Sequence, residues 1–261
     1  VDVVFPNPKT SGNGRYTYLA AWMAAEEQFG GDEQKIRDYM TRFLGNVAVF
    51  DSGGRSATVT FAEREIGDVL ISFESEVNNI RKEYGTGDYE VVVPKTSVLA
   101  EFPVSVVDDV VDERGTREVA TAYLEHLYDK EIQELLTTFN YRVHHPEVVK
   151  ATEDQFPPVK LLKVEDYFGS WQNAQDTHFA SGGVLDELQA QIRKLAERFD
   201  NERDKQIAQL ESQLEKARQR VSEEMKRRRD SLNRLEKLQN EYRDKANATV
   251  QRQLDRARKA V

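Results

Sequence analysis

Thr10-Ser11-Gly12-Asn13-Gly14 separates a strand-like stretch, Val1-Asp2-Val3-Val4-Phe5-Pro6, from a helix-like one that begins at Tyr16. A loop of small residues feeding a helix leaves backbone N–H groups without intrahelical partners, at the positive end of the helix dipole. Such a loop can hold an anion without any charged side chain. The design recurs. Val47-Ala48-Val49-Phe50 reads as a strand, Asp51-Ser52-Gly53-Gly54 as a loop and Arg55 to Glu65 as a helix. Serine and glycine are also ordinary caps, and either loop taken alone is better explained by capping. Two such loops in one domain add weight to an oxyanion site, with capping still open for both.

The elements that must position these loops follow from periodicity. Asp32 caps a helix whose Ile36, Tyr39, Met40, Phe43 and Leu44 share one face, and Gly45 stops it. Val69 to Phe73 is a short strand and Glu74 to Tyr84 a helix. Tyr89 to Val93 and Leu99 to Val107 read as strands, the second interrupted by Pro103. Strands alternating with helices predict an α/β fold with a parallel-rich sheet. Apolar residues at helical spacing predict one helix over Arg114 to Thr138, and Glu147 to Thr152 and Val164 to Thr177 also read as helices.

Composition divides the chain of 261 residues in two. All 14 glycines and all 7 prolines precede residue 184. Residues 1–183 carry a net charge of −14 and residues 184–261 a net of +5. The acidic part is long enough for one packed domain. Its charge argues against nucleic acid, whose phosphates demand a basic surface, but not against a small anion held at short range by dipoles. With no cysteine, a disulfide framework and a thiolate metal site are both excluded. No apolar run approaches the roughly 20 residues of a spanning helix, and no secretory leader is visible.

Other chemistry is weakly supported. His144-His145 lacks metal-ligand spacing, and His126 reads as a helix-surface residue. Arg15 and Arg55 each follow a loop and are expected in surface ion pairs, although they could add attraction for an anion. Trp22 and Trp171 read as core. There is no cysteine nucleophile and no Gly-x-Ser-x-Gly elbow, and Glu74 and Glu76 stand at a spacing that does not let them face each other on a helix. The chain is read as no enzyme, with no cofactor and no metal.

The run Phe5-Pro6-Asn7-Pro8-Lys9-Thr10-Ser11-Gly12-Asn13-Gly14-Arg15-Tyr16 resembles the start of the second lobe of periplasmic sulfate- and thiosulfate-binding proteins. The likeness continues in order through Phe50 to Arg55, Gly67 to Ile80, Leu99 to Val104, Tyr141-Arg142, Phe168 to Trp171 and Thr177 to Phe179, covering about residues 1 to 186. Ser-Gly-Asn-Gly and Ile-Ser-Phe-Glu-Ser-Glu are closer to the thiosulfate-binding branch. The resemblance implies an α/β lobe of the type II periplasmic binding fold over residues 1–183, with the first lobe largely missing and a signal peptide in that missing segment. It implies a periplasmic solute-binding component of an ABC importer, with a sulfate or thiosulfate anion and a membrane permease as partners. Carried over position by position, Ser11 donates its hydroxyl, and Gly12, Asn13 and Gly54 donate backbone N–H groups. Phe73 stands where the sulfate branch has tryptophan, which removes one donor and suits a larger, softer anion; packing at the hinge is the equal alternative. With donors from one lobe only, the chain alone is expected to bind anions weakly.

Residues 184–261 form a second expected region, a long helical coiled-coil extension beyond the family pattern. Leu185, Leu188, Ile192, Leu195 and Phe199 step by three and four, and Ile207, Leu210, Leu214, Ala217 and Val221 repeat the rhythm. A wider-spaced continuation runs from Leu232 to Val261. With no turn signal to mark a hairpin, one long helix that self-associates is expected. A competing functional reading follows, that of a structural or interaction protein driven by this coiled coil.

Overall fold

A computed structural model of the chain describes residues 1–85, 87 and 89–259. Its compact units are Val1–Lys194 and Leu195–Val261. The first is built on β1 (Val3–Pro6), whose four residues are all buried. Parallel partners flank it on both sides, β2 (Val47–Asp51) and β3 (Val69–Leu70), in the order β2-β1-β3. Parallel pairing requires a crossover between consecutive strands. Here α1 (Gly12–Phe29) and α2 (Glu33–Gly45) connect β1 to β2, and α3 (Gly54–Ala62) connects β2 to β3. Helix α4 (Glu74–Tyr84) follows β3.

Local chemistry sets the helix ends. Gly30 closes α1 in the left-handed region at φ 61°. The Asp32 carboxylate caps α2 by accepting from the Lys35 amide at 3.2 Å. Helix α2 ends at Gly45, where the sequence placed its stop, with Asn46 as the C-cap. The core gathers Phe5, Tyr18, Leu19, Met23 and Met40, all fully buried, with the Phe5 ring stacked on Phe43 at 5.5 Å and edge-on to Phe50 at 5.4 Å.

A second, two-stranded parallel sheet pairs β4 (Thr96–Val98) with β5 (Lys160–Leu162). Between them lie α5 (Asp108–Arg114), α6 (Arg117–His126), α7 (Lys130–Thr138) and α8 (Pro146–Ala151). The single helix expected over Arg114 to Thr138 is therefore divided, because Gly115 takes a left-handed φ of 66° and Asp129 starts a new helix. Tyr89 to Val93 and Leu99 to Val107 are not strands. Their β-formers have no ladder neighbour among the described residues, and β propensity reflects fit to such a neighbour more than an intrinsic preference. Val92, 78% exposed, shows the result.

After β5 come α9 (Val164–Phe168), α10 (Trp171–Ala174), a π-helical turn (Gln175–Phe179) and α11 (Val184–Lys259). Leu185 and Leu188 are fully buried in the core of the first unit, so these two do not belong to a seam awaiting a partner. From Arg193 to Arg258 every side chain is exposed. Val261, the last position of the expected seam, lies outside the described residues.

Candidate oxyanion-binding site

Because β1, β2 and β3 are parallel, their carboxyl ends lie along one edge of the sheet, where α/β folds generally place ligands. Three helices begin there: α1 after β1, α3 after β2 and α4 after β3. The loops before α1 and α3 are laced together. The Asn7 amide donates to the Asp51 carbonyl at 2.7 Å, and the Thr10 hydroxyl donates to the Ser52 carbonyl at 3.1 Å.

Ser11 is the N-cap of α1, and its Oγ accepts from the Gly14 amide at a long 3.4 Å. Gly12 opens the helix and is exposed, with nothing within 4 Å of where a Cβ would stand. Asn13 is buried and accepts from the Thr17 hydroxyl at 3.4 Å. Gly54 opens α3, and a Cβ there would lie 3.6 Å from the Asn13 side-chain amide nitrogen. The first-turn amides of Gly12, Asn13 and Gly54 have no acceptor among the described residues, as expected of helix N-termini. The four predicted donor positions thus come together.

Gly14, by contrast, has a packing role: an added Cβ would stand 2.2 Å from the Pro6 carbonyl oxygen and 2.8 Å from the Asn7 carbonyl carbon. The start of α1 can lie against the exit of β1 only because this position carries no side chain.

Phe73 precedes α4 as its N-cap and makes no side-chain cap bond. Its ring meets Tyr16 edge-on at 5.9 Å and Phe102 at 5.6 Å, and Tyr16 continues to Trp171 at 4.9 Å. The Tyr16 hydroxyl donates to the Glu101 carbonyl at 3.1 Å, and burial raises its pKa. Sequence reasoning assigned no role to Ser72, whose Oγ is buried beside Phe73 without a partner among the described residues, nor to the similarly unmet Asp51 Oδ2. Nothing in spacing alone would have singled out either atom.

The nearby cations are already engaged. Arg55 forks onto Glu83 through two bonds of 2.7 Å, the surface pair expected of it. Among the described residues Arg15 makes no such pair: its Nε donates to the Pro8 carbonyl at 3.0 Å while the guanidinium lies over Phe179. Arg142 grips Glu74, in the first turn of α4, at 2.6 and 2.9 Å. Lys9 donates to the carbonyls of Phe179 and Ala180 and pairs with Asp186. The unpartnered polar groups at this edge are therefore main-chain amides at helix N-termini, not side-chain cations.

His178 is buried against Trp22, its ring 4.5 Å away, with Nδ1 3.0 Å from the Tyr18 hydroxyl. Burial pushes its imidazole down to about 4, so it is a neutral core residue at pH 7. His126 pairs with Asp129 on the surface at 2.7 Å. Among the described residues no group of His, Cys, Asp and Glu is arranged to hold a metal.

Residues 1–142 match the family model described as bacterial extracellular solute-binding protein. The thiosulfate-binding protein of Escherichia coli K12 is 59% identical over 190 residues, covering 73% of this chain and 56% of that protein. The sulfate-binding protein of the same organism is 47% identical over 188 residues, 72% of this chain and 57% of that protein. Among solved structures, the sulfate-binding protein SubI from Mycobacterium tuberculosis H37Rv superposes with a TM-score of 0.53 at 26% identity, covering 69% of this chain and 60% of that one. The chain thus spans a little over half the length of the curated relatives it matches. With a family model over more than half its residues and relatives named for binding an anion, not for a reaction, the chain belongs to the bacterial extracellular solute-binding protein family.

Proposed function

We propose that this chain supplies one lobe of the periplasmic sulfate/thiosulfate-binding component of an ABC importer. The observation that carries the reading is the convergence of the two small-residue loops at the carboxyl edge of one parallel sheet, in a chain 59% identical to a thiosulfate-binding protein. The Ser11 hydroxyl and the amides of Gly12, Asn13 and Gly54 act as neutral donors to the dianion. Fixed N–H groups suit this task because a buried counter-cation would carry a desolvation cost of its own. Gly12 has neither a positive φ nor a crowding neighbour to require it. Close approach of a ligand to its amide accounts for a glycine there.

Phe73 offers an apolar ring where an indole would donate. The site accordingly favours an anion with one terminus that accepts hydrogen bonds poorly, which is thiosulfate rather than sulfate. A second lobe completes the donor set, and ligand contacts from both lobes favour the closed state that docks on the membrane permease. The test is calorimetric titration of the protein at the full length of its relatives with thiosulfate and with sulfate. Binding of thiosulfate at micromolar concentration, more tightly than sulfate, is expected; failure to bind either anion overturns the reading.

A further inference from the structure

From Leu195 to Arg258 helix α11 carries an apolar stripe that is wet along its whole length; Leu214 is 53% exposed and Leu235 62%. From Phe199 to Leu254 the stripe steps by about 3.6 residues, the period of an undistorted helix, and so stays on one side. No Gly or Pro follows Gly183, and α11 is one helix to Lys259, so the segment has no reversal with which to cover its own stripe. A standard interface uses roughly 20–30 residues a side, and the stripe with its flanking positions supplies that number.

Two patterns identify what fits this face. Three apolar pairs of the stripe lie symmetrically about Arg228: Val221 and Leu235 stand seven residues to either side, Leu214 and Tyr242 fourteen, Leu210 and Ala246 eighteen, whereas Leu232 and Leu254 are mirrored by Glu224 and Glu202. Charge is polarised along the same axis. Residues 195–215 carry six acidic and three basic side chains, and residues 241–261, their mirror positions about Arg228, three acidic and six basic, a net of −3 against +3. Parallel pairing of two copies would set like charge on like at both ends, whereas antiparallel pairing sets the acidic end of each on the basic end of the other.

We propose that the stripe is the docking face for a second copy of this chain, packed antiparallel about a two-fold axis at Arg228. Leu214 of one copy then packs on Tyr242 of the other, and Leu210 on Ala246. Arg228 carries its own counter-charge to the axis, since its Nε holds Glu224 at 3.2 Å. Two arginines and two glutamates meet there, a polar device of the kind that fixes register.

The chain contains no cysteine, so introduced thiols report pairing cleanly. Full-length chains carrying Leu210→Cys or Ala246→Cys are oxidised mildly, each alone and then mixed. The expected result is a disulfide-linked dimer that forms several-fold more readily in the mixture than in either variant alone. The unmodified chain should sediment at twice its 30.0 kDa, and Leu214→Glu, at an exposed position, should return it to the monomer. Equal cross-linking by each variant alone, a monomeric unmodified chain at tens of micromolar, or a dimer indifferent to Leu214→Glu overturns the proposal.

Discussion

The Lys9 ammonium lies 2.9 Å from the Asp186 carboxylate, joining the loop before α1 to the first turn of α11. The same ammonium donates to the carbonyls of Phe179 and Ala180 at 2.9 and 3.1 Å, where the π-helical turn ends. The Lys9 bond, followed by the Gly182 amide, holds the Asp186 carboxyl below its usual pKa. One side chain thus meets three acceptors: the Phe179 carbonyl at the end of the π-helical turn, the Ala180 carbonyl, which also accepts from the Gly183 amide at 2.9 Å, and the Asp186 carboxylate. Lys9→Met is expected to speed amide hydrogen exchange from Gly182 to Glu187 while β1 and β2 keep their protection. Unchanged exchange in that segment would show the contact to be incidental.

Gly12 and Gly14 should part company under the same substitution. Gly14→Ala drives a methyl into the Pro6 carbonyl and should destabilise the fold by about 1–3 kcal/mol or more, the range of an overpacked site. Gly12→Ala meets open space, so its urea midpoint should match or slightly exceed that of the unmodified chain. If the Gly12 amide approaches the anion, the same alanine should lower thiosulfate affinity at full length. Loss of stability in Gly12→Ala, or none in Gly14→Ala, would contradict the packing described.

His178 makes stability depend on acid. Its folded pKa is about 4 against 6.5 for the free group, with burial the main cause and the charge of Arg37 the second. Above pH 6.5 both states hold it neutral and it adds no pH dependence. As pH falls from 6.5 towards 4 the unfolded chain takes up a proton that the folded one refuses, and stability falls by up to about 3 kcal/mol. His178→Phe should lose stability at pH 7, because the Tyr18 hydroxyl is left unpaired, yet show a shallower decline between those two pH values. Denaturant melts of both proteins across that window check it, and parallel curves would rule it out.

Leucines of α11 should differ sharply by position. Leu188 is fully buried in the core, and Leu188→Ala should cost about 2–5 kcal/mol in a denaturant melt of the full chain. Leu232 is 61% exposed, and Leu232→Ala should leave the transition of the first unit unmoved. Similar losses from the two would mean that the transition reports more than the packed core.

Much of this arrangement is legible in the residues. The apolar run Val3 to Pro6 and the Asp32 cap with the Gly45 end fix β1 and α2, because each depends on local chemistry. The two small-residue loops announce themselves by composition. What composition hides is the division of labour inside the first loop. Gly12 faces open space and Gly14 a carbonyl, a distinction set by a neighbour eight residues upstream that no periodicity encodes. Tyr89 to Val93 fails for the opposite reason, since a β-forming sequence becomes a strand only where another backbone offers a ladder. Leu185 and Leu188 keep the spacing of the stripe that follows them, so spacing alone assigns them to it; burial shows that they belong to the core.

The central position of β1 has a consequence for synthesis. It pairs on both edges, yet Val69, on its later partner β3, emerges from the ribosome about 66 residues after Val3. At roughly 5–20 residues per second that gap lasts some 3–13 s. Through it, a four-residue apolar strand exists with at least one edge open and its side chains wet, the kind of segment that other nascent chains can pair with and that holding chaperones bind. The sheet closes only once β3, the last of its strands in sequence, has been made.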